Sequence, residues 1–140
     1  MTLLILDTDT FSLLVRKEPL VVKNFNRFNY RDIAITIVTV EEAMRGRLNY
    51  IKRASSRDKI ILAYGKLGET LEDIREFNLV DFDEAAALCY EEFRRQKIRI
   101  GTQDLRIASI AFSRNAIVVT RNTRDFSKVP GLILEDWTVV

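Results

Sequence analysis

At 140 residues, 47% of them hydrophobic and 30% charged, the chain has the size and balance of one globular domain, which excludes a disordered segment or two ordinary domains. Its formal net charge of +2 excludes a protein that is basic in bulk. The absence of histidine and a single cysteine, Cys89, exclude serine–histidine and cysteine–histidine catalysis, histidine- or thiolate-bound metal, and cleavage of RNA by paired histidines.

The apolar run Leu3 to Leu6 ends at Asp7 and reads as a short strand buried on both faces. A helix through Phe11, Leu14 and Val15 follows. Pro19 interrupts, and a second short helix carries Val22, Phe25 and Phe28. Ile33 to Val38 reads as a second strand, and Thr39 opens a long helix through Ala43, Leu48 and Ile51 that Ser55 and Ser56 break. The next helix sets Ile60, Tyr64, Leu67, Leu71 and Ile74 at spacings of three and four. Leu79 to Phe82 is a third strand, and Asp83 caps a helix holding Ala86, Leu88, Tyr90 and Phe93. Gly101 and Thr102 start a helix with Leu105, Ala108, Ala111 and Phe112 on one side. Ile117 to Thr120 is a fourth strand, and Leu132 to Leu134 is the candidate for a fifth.

Strands alternating with helices predict an α/β fold: three layers, α/β/α, with a central parallel sheet of four or five strands. No repeat, low-complexity stretch or linker divides the chain, so residues 1–140 read as a single domain. No apolar run approaches the roughly 18 residues that span a bilayer. The first ten residues meet acids before any long apolar stretch, unlike a signal peptide. With one cysteine and no sign of secretion, a reducing cytoplasm is the expected location.

In an open parallel sheet, function collects beyond the carboxyl ends of the strands. Asp7 follows the first strand, Asn122 and Asp125 follow the fourth, Glu42 lies one turn into the helix after the second, and Asp104 opens the helix before the fourth. Each also has a structural reason to be there. Asp7 is a favoured helix cap, and Thr39 to Glu42 fits a capping box. Asp104 suits the positive end of a helix dipole, and Asp125 suits a turn. Two basic runs, Arg45 to Lys59 and Arg94 to Arg106, are positioned either to hold phosphate or to solvate helix faces.

The segments LLILDTDTFSLL, TIVTVEEAMRG, IGTQDLRIASIAFSRNAIVVTRNTRDF and VPGLILEDW resemble the PIN domain, and within it the VapC-type toxins of bacterial toxin–antitoxin pairs. The likeness runs from the first strand to Trp137 and is thin between Leu48 and Val80. It implies an acidic site of Asp7, Glu42, Asp104 and Asp125 that is both catalytic and metal-binding, with Thr120 and Asn122 as polar neighbours. Glu42 rather than Glu41 takes the role because the family's acid stands four residues before the glycine, here Gly46. Asp9 departs from the pattern, since many members carry asparagine there.

The resemblance implies an endoribonuclease that uses magnesium or manganese and leaves 5′-phosphate and 3′-hydroxyl ends. It also implies a cognate antitoxin partner and a homodimer. Hard oxygen donors suit those ions, and clustered carboxylates repel one another unless a cation joins them. Two other readings remain: a PIN-type module that binds RNA or a partner without cleavage, and a haloacid-dehalogenase-like phosphatase. The second is suggested by Asp7-Thr8-Asp9 but lacks the threonine or valine that family usually has at Phe11.

Overall fold

The computed structural model describes residues 2–140. Among them five short strands, β1 (Leu4–Leu6), β2 (Ile33–Thr36), β3 (Asn78–Val80), β4 (Ile117–Val119) and β5 (Ile133–Glu135), form one sheet in the order β3-β2-β1-β4-β5. Every neighbouring pair is parallel: Leu4 stands opposite both Ile33 and Ile117, and Ala34 opposite Asn78. The strands alternate between two cores, which explains why β1 reads as unbroken apolar sequence. Ile5 and Val118 face one cluster with Ala86, Phe93, Leu105 and Phe126. Leu4, Leu6, Ile35 and Val119 face the other, with Phe11, Val21 and Trp137. This is the three-layer arrangement expected from the sequence.

The helices are α1 (Thr8–Val15), α2 (Pro19–Phe25), α3 (Ile37–Arg53), α4 (Arg57–Arg75), α5 (Glu84–Arg95), α6 (Thr102–Ser113) and α7 (Thr123–Phe126). Pro19 occupies the first turn of α2, where its missing N–H costs nothing. Asp83 caps α5 by accepting from the Ala86 N–H at 3.0 Å, as expected. α1 and α2 cover one face of the sheet, and α5 and α6 the other.

Three expectations shift, besides the third strand, which ends at Val80 rather than Phe82, and the second helix, which ends at Phe25 short of Phe28. The second strand stops at Thr36 rather than Val38, and α3 begins at Ile37 with Thr36 as its cap, accepting from the Thr39 N–H at 3.2 Å. Ile37 and Val38 are β-branched and continue the strand pattern, so the turn is hidden in sequence. The capping box fails with it, because Glu42 lies in the second turn, beyond reach of the cap. On α4 the buried face carries Ala63 and Thr70, while Ile60, Tyr64 and Leu71 are exposed. There α4 meets a polar neighbour, the Arg47 Nε donating to Thr70 Oγ1 at 2.8 Å, so the inward stripe is not the most apolar one. Finally, Asp125 sits in the short helix α7 rather than in a turn.

The topology fixes where a site can form. From β1 the chain winds outward through β2 to β3, then returns to the other side of β1 for β4 and β5. The direction of winding therefore reverses between β1 and β4, and the crevice beyond their carboxyl ends is the expected ligand position.

Candidate active site at the carboxyl edge of the sheet

Asp7 leaves β1 directly into this crevice. Its backbone N–H donates to the Val119 carbonyl at 3.0 Å, which ties the end of β1 to the end of β4. Its side chain caps α1, one oxygen accepting from the Thr10 N–H at 2.8 Å. The residue is only 4% exposed, so the cap reading and the site reading hold together. Burial pushes the Asp7 carboxyl upward, against the lowering effect of hydrogen bonds from Thr120 and Thr10.

Glu42 arrives from α3. The Thr8 hydroxyl donates to it, and Thr8 is itself hydrogen-bonded to the buried Thr39 hydroxyl at 3.0 Å. With the Thr8 proton committed to Glu42, Thr39 is the donor in the second bond, so a short relay holds the carboxylate in place. Glu41, one residue earlier, points about 100° away around the helix. It binds Arg45 and accepts from the Gln103 side chain at 2.8 Å, outside the cleft.

Asp104 stands in the first turn of α6, whose cap, Gly101, supplies no side-chain bond. Its carboxyl is pushed up to about 6, first by burial and then by the negative charges of Asp7, Glu42 and Asp125. Asn122 opposes that rise with a hydrogen bond. Asn122 also donates to Asp125 at 3.1 Å, and its own N–H donates to Thr120 at 2.9 Å. That Asn122 bond, with Lys128 nearby, holds the Asp125 carboxyl below its ordinary value.

Asp7, Asp9, Glu42, Asp104 and Asn122 thus line one open cleft of about 480 Å³, while Asp125 borders it through Asn122 and feels Asp104 electrostatically. Of the residues expected at the site, Asp7, Glu42, Asp104 and Asn122 line the cleft, and Thr120 and Asp125 are joined to it by their bonds with Asn122. Among the described residues no three acidic side chains close into a ready-made metal cage. They are instead tied to separate donors: Asp7 to Thr10, Glu42 to Thr8, Asp125 to Asn122. Asp7, Glu42 and Asp104 have no ion-pair partner among the described residues.

Three contributors were missed in sequence. Thr8 and Ser12 line the cleft from α1, and the spacing of four between them, starting next to Asp7, was the available signal. Arg121, between Thr120 and Asn122, grips Asp9 through two bonds of 2.6 and 3.2 Å. That pair gives Asp9 a place: it neutralises an extra acid at the rim. The second basic run does not face the acids. Arg94 and Arg106 lie over the Tyr90 ring at 5.7 and 5.6 Å, and Arg95 pairs with Glu92.

The PIN domain family model matches residues 4–132. A ribonuclease VapC2 of Rickettsia felis is 30% identical over 109 residues, 75% of this chain and 74% of its own. A tRNA(fMet)-specific endonuclease VapC of Salmonella typhimurium is 28% identical over 136 residues, 94% of this chain and 96% of its own. The crystal structure of a DNA-bound VapBC from Salmonella typhimurium superposes with a TM-score of 0.79 at 28% identity, covering 98% of this chain and 99% of that one.

Proposed function

The chain belongs to the PIN domain family, alongside VapC ribonucleases, and from that membership we propose that it is a divalent-metal-dependent endoribonuclease acting as the toxin of a toxin–antitoxin pair. The match along residues 4–132 displaces the phosphatase alternative. One observation carries the reading: acids from the end of β1, from α3 and from α6 line one cleft at the switch point of the sheet with Asp125 of α7 at its border, and the inner three have no ion-pair partner among the described residues.

Magnesium or manganese fits the donor set, which is entirely hard oxygen, and fits the excess negative charge that lifts Asp104. Asp7, Asp104, Glu42 and Asp125 would hold it. Such an ion, when bound, polarises the scissile phosphate and makes an attacking water more acidic. The chain supplies the rest. Thr8 fixes Glu42, Asn122 orients both Asp104 and Asp125, and Thr120 holds the turn that presents them. Attack by water in line with the departing 3′-oxygen leaves 5′-phosphate and 3′-hydroxyl ends and requires no histidine.

An enzyme of this kind needs restraint, and the Salmonella likeness is to a VapBC assembly. A cognate antitoxin is therefore part of the proposal, delivering an arginine or lysine to the acids, where a guanidinium can bridge two carboxylates. Exposed Leu48, Ile61, Leu62 and Tyr64 on α3 and α4 are available for its apolar contacts. A homodimer and a cytoplasmic location belong to the same reading. No described helix is long and apolar enough to cross a membrane. The test is cleavage of purified total RNA with and without magnesium, with sequencing of new 5′-monophosphate ends. A protein that binds RNA in magnesium but never cuts it is the non-catalytic module instead.

A further inference from the structure

A second cleft, of about 370 Å³, opens beside the acids between α1, α3 and α4. It shares Thr8, Ser12 and Glu42 with the acidic cleft, so the two form one continuous surface. Along α3 the residues Glu42, Gly46, Tyr50 and Arg53 all line it, and at 100° per residue their directions fall within about 80° of one another. The stripe starts at the acids and runs about 16 Å along the helix.

Each position on that stripe has a distinct chemical character. A Cβ built at Gly46 meets no atom within 4 Å, so the cleft passes over bare helix backbone there. Tyr50 is a half-buried aromatic in the cleft wall. Beyond it, Arg53 is exposed and has no carboxylate partner among the described residues. Arg47, on the adjoining side, is fixed by its bond to Thr70 and balanced by the charge of Asp73. Of the two arginines lining the cleft, Arg53 is thus the one without a partner among the described residues.

We infer that this cleft seats the single-stranded RNA flanking the scissile phosphate, with Tyr50 as the platform for a base and Arg53 as the clamp on a neighbouring phosphate. The inference rests on the ribonuclease reading above and adds where the strand lies. Acids that hold a cation can take one phosphate, but the next phosphate along is repelled by them and needs a positive group of its own. Arg53 stands at the far end of the stripe, away from Glu42, and an aromatic ring lies between. An aromatic followed by a free guanidinium is the pairing that sequence-tolerant single-strand grooves use. Gly46 then has a function: any side chain there would stand in the strand's path.

The experiment measures fluorescence anisotropy of a labelled oligouridylate with full-length Asp104→Asn protein in magnesium, so that cleavage does not compete. Relative to this parent, Tyr50→Ala should bind about 10-fold more weakly, with Tyr50→Trp retaining affinity. Arg53→Ala should weaken binding and lower the salt dependence by about one phosphate's worth. Gly46→Met should weaken binding while raising the melting temperature, because methionine is the better helix former and its Cβ meets no atom within 4 Å. That variant keeps the test sound if Tyr50→Ala folds poorly. Unchanged affinity in Gly46→Met and Arg53→Ala overturns the inference, as does a parent that does not bind the oligonucleotide at low salt. Normal RNA binding with loss of a copurifying antitoxin would make the cleft a protein groove, again against it. The two readings separate in the protein with Asp104 intact. RNA binding that needs Tyr50 and Arg53 without any cleavage keeps the cleft and removes the nuclease, whereas cleavage that ignores both residues does the reverse.

Discussion

On the outer helix faces, Glu41, Glu72 and Glu92 each meet an arginine three or four residues along. At the carboxyl edge of the sheet, Asp7, Glu42 and Asp104 meet one another instead. The outer pairs are local, exposed and replaceable, each worth a fraction of a kcal/mol at most. The inner acids come from distant parts of the chain and share a partly buried space, so their charges work against the fold. A protein that spends carboxylates in both ways shows which set is kept for something other than stability.

The sharpest way to break this contrast is to remove charge without changing shape. Asp104→Asn should lower RNA cleavage by at least about 100-fold, as loss of a metal ligand or its close support does, with the fold intact by circular dichroism. Asp7→Asn should do the same, since asparagine can still cap α1. Adjacent residues offer the next test. Glu42→Gln should lose most activity and Glu41→Gln should keep it, because only Glu42 enters the cleft. Equal losses would merge the two populations.

Asp104 gives the contrast a pH dependence. A carboxyl raised to about 6 in the folded chain, above its value of 3.8, binds more protons folded than unfolded between those pH values. Metal-free stability contributed by this residue therefore falls as pH rises through that window. A divalent ion needs the ionised form, so its stabilisation should be small at pH 5 and several degrees of melting temperature at pH 7.5 in hundredfold excess over Kd. Calorimetry at the two pH values checks both signs. At the small end, Arg95→Ala should change stability by no more than about 0.5 kcal/mol, measured by urea denaturation.

Much of this was legible before the structure. The continuous apolar run of β1 and its terminal Asp7 locate one side of the crevice, and the fourth strand, read as ending at Thr120 just before Asn122, locates the other, because parallel topology forces both to the same edge. Asp104 follows from a helix start, whereas Glu42 follows from the family resemblance, which sets the acid four residues before Gly46. The start of α3 was not legible: Thr36 and Thr39 are equally good caps, and only tertiary packing buries Thr39 against Thr8. The inward face of α4 was hidden for a related reason. Apolar spacing marks Ile60, Tyr64 and Leu71, yet the helix turns Thr70 toward Arg47 and leaves them outside. Arg121 could be read only as a charge, since its partner Asp9 lies 112 residues away in sequence.

The central claim is that the inner acids are a divalent-ion site for cutting RNA. It is tested most directly by titrating magnesium and manganese into wild-type and Asp104→Asn protein at pH 7.5 while following RNA cleavage and product ends. Saturable, metal-dependent cleavage with 5′-phosphate ends in the wild type, lost in the variant, is the predicted result. Cleavage that persists in a chelator, or proceeds equally in Asp104→Asn, would contradict it.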